Sequence, residues 1–206
     1  PDQVIKAVEQ VLEYRGNPHR GAHIVAEKNE QWLAEARENI ARFINSTSDE
    51  IVFTNNTTDS INLAVDAIAH TIEKGDEIII PISEHHSNML PFEKLLRKGA
   101  KLKVIGLKDS LVDIEKLKKA ISSKTKIIAI NHVSNVLGGI NPVEEIGNYL
   151  KEKYPKIIYL VDGAQAVAHI PVDVKKIKSD LYAFSSHKMY GPCGVGVLFI
   201  SKRLFP

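Results

Sequence analysis

Short apolar runs alternate along this chain with longer stretches whose apolar residues recur at helical spacing. Residues 50–54 (EIVFT) predict a strand. Over residues 58–73 the apolar positions Ile61, Ala64, Val65, Ile68 and Ile72 fall three or four apart, the period of one helix face. Residues 77–81 (EIIIP) are almost continuously apolar, as expected of a strand covered on both faces. The alternation continues with a helix over 90–98, a strand over 102–105, a helix over 113–121 and a strand over 126–130. A helix over 142–152, opened by a proline, precedes a strand over 157–161, and two short strands follow over 180–184 and 195–200. Ahead of them all, residues 27–44 predict a long helix with Leu33, Ala36, Ile40 and Phe43 on one stripe. Together these give an α/β fold of three layers, helices on both faces of a mostly parallel sheet. No internal repeat, low-complexity tract or Gly/Pro/Ser-rich linker divides the chain, so one domain over 1–206 is expected.

Composition narrows the function classes. The 206 residues are 44% hydrophobic and 25% charged, and the formal net charge is +2, which gives no reason to expect nucleic acid or a membrane surface as partner. The densest basic run, Lys116, Lys118, Lys119, Lys124 and Lys126, reads as a solvated helix face and the turn after it. A single cysteine, Cys193, excludes an internal disulfide and fits a reducing, cytoplasmic setting. No apolar run approaches the ~18 residues of a bilayer span, and no secretory signal is visible. A start at Pro1 and an end directly after a strand are what a piece of a longer protein would show.

In doubly wound sheets ligands collect at the carboxyl ends of the strands, and four polar motifs follow predicted strands here. Thr57 and Thr58 open a helix, where hydroxyls and free N–H groups make a phosphate seat; an ordinary N-cap would look the same. His85 and His86 follow the EIIIP strand, where a histidine can stack on a flat ring, transfer a proton or bind metal. Asp162 ends the apolar run IIYLV; buried there it needs a partner, for which a protonated ring nitrogen would serve, and Gln165 could reach a neighbouring ring oxygen. An Asp that simply caps the next helix is the plainer alternative. Ser185, Ser186 and His187 lead to Lys188, ahead of a glycine-rich turn, a setting that can turn an amine into a Schiff-base nucleophile rather than a solvated cation. Phosphate seat, stacking group, pyridinium partner and amine are the four parts that pyridoxal 5'-phosphate (PLP) requires.

The strings NPHRGAH (17–23), IVFTNNTTDSINL (51–63), EHHSNMLPF (84–92), INHVSNVLGGINPV (130–143), LVDGAQAVAHIPVDV (160–174) and FSSHKMYGPCGVGVL (184–198) carry a further inference. In their order and spacing the chain resembles the cysteine desulfurases, group II and related to selenocysteine lyases, of the class V aminotransferase family. The resemblance implies the large domain of a PLP transferase of fold type I, without the family's N-terminal strand and C-terminal small domain. It implies that Lys188 forms the Schiff base with the cofactor, that His85 stacks on its ring, that Asp162 faces the ring nitrogen and that Gln165 faces the phenolic oxygen. Thr57, Thr58, Ser185 and His187 match the phosphate-binding set. Asn135 matches an asparagine near the cofactor oxygen and the substrate carboxylate, and the stretch from His19 to His23 matches a signature at the active-site mouth. The implied substrate is L-cysteine or selenocysteine. The implied partners are a sulfur-acceptor protein serving iron–sulfur cluster assembly and, in the full-length protein, a second copy in a homodimer. The family's persulfide cysteine lies beyond this region, so this piece alone is expected to be inactive. Cys193 stands where the family usually has threonine and is expected as a small buried turn residue. Three alternatives stay open: another class V enzyme (aminotransferase, epimerase or kynureninase-like), a piece that binds PLP without turnover, and a metal site built from His85, His86, His132 and Asp162.

Overall fold

The computed structural model describes every residue except Arg15, His19, Arg20, Ala22 and Pro206. Two helices, α1 (Asp2–Glu13) and α2 (Ile24–Phe43), lead into strand β1 (Ile51–Thr54) and helix α3 (Thr57–Ile68). Then come β2 (Glu77–Pro81), a short helix α4 (Glu93–Arg97), β3 (Lys101–Ile105), a two-stranded hairpin β4 (Leu107–Lys108) and β5 (Leu111–Val112), and α5 (Ile114–Ala120). The remainder is β6 (Thr125–Asn131), α6 (Val143–Lys153), β7 (Ile158–Asp162), α7 (Val174–Ile177), β8 (Leu181–Ser185) and β9 (Gly196–Ile200).

Seven strands form one sheet in the order β1-β9-β8-β7-β6-β2-β3. The five strands from β8 to β3 are mutually parallel, while β9 runs antiparallel to both of its neighbours. The sheet is therefore mostly parallel and mixed, as expected. Every residue of β2, β7 and β8 is buried, which explains why these segments read as unbroken apolar runs instead of alternating ones. Their side chains divide between two cores. Ile79, Ile128, Ile130, Tyr159, Val161, Tyr182 and Phe184 pack on one face with Ala41 of α2, Leu117 of α5 and Ile146 and Leu150 of α6. Ile78, Ile80, Ile127, Ala129, Leu160 and Ala183 pack on the other against Ile61, Ala64, Val65 and Ile68 of α3 and Leu95 of α4. This is the three-layer arrangement.

The chain leaves β2 toward β3 in one direction and returns through β6, β7 and β8 in the other. The crevice between β2 and β6 is thus a topological switch point, where open α/β sheets hold their ligands.

Several elements differ from the sequence expectation. Helix α1 was not anticipated; none of its residues is buried, and Ile5, Val8, Val11 and Leu12 are exposed. The hairpin was also missed. Its turn residues Asp109 and Ser110 both take positive φ, as a two-residue hairpin turn requires, but without the glycine that advertises one. The segment over 90–98 splits into a 3-10 turn, Leu90–Phe92, and the one-turn helix α4. Among the described residues no helix is long and apolar enough to cross a membrane.

Candidate active site

The carboxyl ends of β2, β6, β7 and β8 and the amino end of α3 surround a cavity of about 390 Å³. The nine residues given cofactor or catalytic roles by the family resemblance all line it: Thr57, Thr58, His85, Asn135, Asp162, Gln165, Ser185, His187 and Lys188. They come from five separate stretches of chain, and the parallel sheet brings them together.

The turn from β1 into α3 puts Thr57 at the first position of a 12-residue helix, where the backbone N–H groups lack partners in the preceding turn. Asn56 caps the helix, accepting from the Asp59 N–H at 2.9 Å. The Thr57 N–H donates to Ser185 Oγ at 2.6 Å, and the two hydroxyl oxygens lie 2.5 Å apart. Thr57 and Ser185 are both buried. This close approach depends on Gly196 of β9, where a Cβ would stand 2.5–2.6 Å from Thr54 Oγ1 and the Asn56 backbone. Three hydroxyls and a helix start make this end of the cavity suited to an anion.

Asp162 is the last residue of β7 and is 5% exposed. Its Oδ1 accepts one N–H, from Ala164 at 2.9 Å. Burial pushes its carboxyl above the ordinary aspartate range, against the Ala164 N–H and the electrostatic pull of Lys188 and His85. The next residue must be glycine, because a Cβ at Gly163 would lie 2.0 Å from the ring of Tyr182.

Lys188 ends a 3-10 turn, Ser186–Lys188, directly after β8. That loop is closed by the Ser186 hydroxyl, which donates to the Pro192 carbonyl, and by the Gly191 N–H, which donates to the Ser186 carbonyl at 2.9 Å. Lys188 is exposed and makes no hydrogen bond or ion pair among the described residues. β7 and β8 are neighbours in register, Asp162 opposite Ala183, so Asp162 and the turn carrying Lys188 open onto the same cavity.

His85 caps the 3-10 turn His86–Asn88 and is held through its Nδ1 by Ser87. His86 is turned away from this cavity and lines two adjoining grooves. His132 is buried in the core, with Nδ1 2.9 Å from the Tyr182 hydroxyl and its pKa pushed down to about 4 by burial. The four residues of the metal alternative therefore do not converge, and among the described residues no group of three or more His, Cys, Asp or Glu could hold a metal ion. Cys193 is exposed, which corrects the expectation of a buried turn residue; the loop from Pro192 to Gly194 stands clear of the sheet. His19 and Arg20 of the N-terminal signature lie outside the described residues, and His23 caps α2.

Sequence reasoning missed the layer beneath the cavity. Glu84 Oε1 accepts from the Asn131 N–H, and its Oε2 accepts from Asn88 Nδ2, both at 2.6 Å. Asn131 Nδ2 in turn donates to the Ser83 carbonyl at 2.9 Å, and Asn141 Nδ2 donates to Asn131 Oδ1 at 2.6 Å. These bonds lash the β2 loop to the end of β6. Burial drives the Glu84 carboxyl up to about 8, with the negative charge of Asp162 adding to the effect. The only signal in the sequence was a set of polar residues directly after apolar strands.

A fold of this topology with these residues at the strand ends has close relatives. The sequence pattern described as Aminotransferase class-V matches residues 1–206. The chain belongs to the class V aminotransferase family. Within that family it is similar to a probable cysteine desulfurase of Pyrococcus abyssi, 45% identical across 100% of this chain and 51% of the relative. It is also similar to a probable cysteine desulfurase of Halalkalibacterium halodurans, 44% identical across 98% of this chain and 50% of the relative. The apo structure of the cysteine desulfurase of Thermococcus onnurineus NA1 superimposes with a TM-score of 0.94 at 40% identity, covering 100% of this chain and 52% of that one. The chain spans about half the length of the curated relatives it matches. The class V fold expected from the sequence is the fold observed.

Proposed function

We propose that this chain is the PLP-binding large domain of a cysteine desulfurase. The observation that carries the reading is the convergence of Lys188, Asp162, His85 and the Thr57–Ser185 cluster on one cavity. The residues present fit the cofactor. Among the described residues the buried carboxyl of Asp162 has one neutral hydrogen-bond donor and no ion-pair partner in contact, and a protonated ring nitrogen would complete it. Thr57, Thr58, Ser185 and His187 would hold the phosphate, His85 would lie on the ring face, and Gln165 and Asn135 would meet the ring oxygen and the substrate carboxylate. Lys188 would hold the cofactor covalently through its amine.

When bound, PLP supplies an electron sink for a carbanion at the substrate Cα. The protein residues do the rest. The Lys188 amine would move the proton at the substrate Cα, and Asp162 would face the ring nitrogen and favour its protonated form. The net reaction is L-cysteine plus an enzyme thiol giving L-alanine plus an enzyme persulfide, with selenocysteine as the selenium analogue. The enzyme thiol belongs to the half of the relatives' length that this chain does not span, so the 206-residue piece is expected to bind cofactor without turnover. The persulfide sulfur passes to an acceptor protein for iron–sulfur cluster assembly. A cytoplasmic homodimer is the setting that the family resemblance and the lone cysteine support.

The decisive experiment is optical. Incubation with PLP should yield a yellow protein whose colour is lost on borohydride reduction, with the label mapped to the peptide containing Lys188. A folded Lys188→Ala variant should take up no reducible label. A label on any other lysine would overturn the site. Production of alanine and sulfide from L-cysteine by the full-length protein tests the desulfurase activity against other class V reactions.

A further inference from the structure

Ser87 joins two parts of the site that the sequence presents as unrelated. Its backbone N–H donates to His85 Nδ1 at 3.1 Å, so that nitrogen is an acceptor and the ring proton sits on Nε2. Its hydroxyl lies 3.0 Å from the same Nδ1 and 2.8 Å from the Thr58 hydroxyl at the start of α3. Thr58, Ser87 and His85 thus form a continuous hydrogen-bonded chain along the wall of the cavity. Resting on the phosphate seat proposed above, we propose that Ser87 is a positioning residue that couples anion binding at Thr58 to the hydrogen bonding of the His85 imidazole.

The coupling follows from counting protons. The Ser87 hydroxyl has one proton and two neighbours that can accept it. With no anion at the helix start, Thr58 donates to Ser87 and Ser87 donates to His85, so Nδ1 receives two donors. An anion accepts the Thr58 proton instead. Thr58 then offers Ser87 only a lone pair, the Ser87 proton turns toward it, and Nδ1 keeps the backbone N–H alone. One donor is withdrawn from the ring when the phosphate seat fills. The charged or titratable groups around this ring include Asp162, Lys188 and His187 on the same cavity, Glu84 just before it in the chain, and His86, whose ring centroid is 6.3 Å away. None of them bonds Nδ1.

The test uses the chain labelled with 15N-histidine, above the ordinary imidazole titration range, with inorganic phosphate as the probe. The His85 resonance is assigned by its absence in His85→Gln. In the wild type, saturation with phosphate should move Nδ1 toward its less hydrogen-bonded position. Ser87→Ala should begin at that position, bind phosphate within about twofold of wild type and show no movement. Ser87→Thr, which keeps the hydroxyl, should restore the response. Phosphate binding that leaves wild-type Nδ1 unmoved, or moves it equally in Ser87→Ala, would overturn this coupling while leaving the phosphate seat standing. No phosphate binding at all would overturn both.

Discussion

Two buried aspartates at opposite ends of the sheet have opposite surroundings. Asp180, just ahead of β8 at its amino end, is fully buried and fully matched: Lys151 lies 2.6 Å away, Arg203 grips both oxygens, and the Tyr159 N–H donates at 2.7 Å. Asp162, at the carboxyl end of β7, is 5% exposed and among the described residues receives only the Ala164 N–H. Burial is the same and partnership is not. A buried carboxylate whose charge is answered within the fold is a structural joint; one left under-answered beside a cavity is a seat for something that brings the missing charge.

That contrast can be broken by experiment, most severely at the matched residue. Asp180→Ala leaves two cations facing a void and should cost about 3–5 kcal/mol of folding stability, toward the lower figure because both partners are partly solvated; urea unfolding measures it. Asp162→Asn should do the reverse in the cofactor-free protein, unfolding within about 1 kcal/mol of wild type or slightly higher, because a neutral amide replaces a poorly solvated acid. Its cost should appear in PLP affinity, which loses a charge-assisted hydrogen bond of about 1.5–3 kcal/mol, about ten- to a hundredfold by absorbance titration. Equal destabilisation by the two substitutions would erase the distinction.

The pH dependence sharpens it further. Glu84, next to Asp162, is raised from 4.5 to about 8, so the folded state holds a proton that the unfolded chain releases. A raised carboxyl gives stability at low pH that is lost as pH rises from the unfolded value through the folded one. Stability of the cofactor-free chain should therefore fall between pH 4.5 and about 8, by at most about 1.4 kcal/mol per pH unit, and Glu84→Gln should flatten the profile. The smallest effect is expected at Cys193. Cys193→Ser on the exposed loop should leave thermal stability within about 0.5 kcal/mol and cofactor uptake unchanged.

The strands were legible because burial on both faces writes itself as unbroken apolar runs: 77–81 was read with the bounds it has, and the others fell within one or two residues. Helix α7 and the hairpin were illegible for the converse reason. Each is too short to show a period, and their geometry is set by Asp173 capping α7 and by two positive-φ residues without glycine. The cavity-lining residues were visible as polar breaks after apolar strands. The partners of Ser87 and Asn141 gave no such notice, since a serine or asparagine in a loop is unremarkable until its partners are known.

The sequence by itself determined the layer architecture, because the periods of apolar residues fix which segments can be strands or helices and which faces must be covered. It also marked which polar groups stand at strand ends. Only the tertiary structure decided which of those groups share a cavity. His85 and His86 are adjacent in sequence, yet one lines the cavity with Lys188 and the other opens onto separate grooves, while Asp180 draws Lys151 and Arg203 from more than twenty residues away and Asp162 meets only the nearby Ala164 N–H among the described residues. Those partnerships depend on strand order and register, which no local pattern encodes.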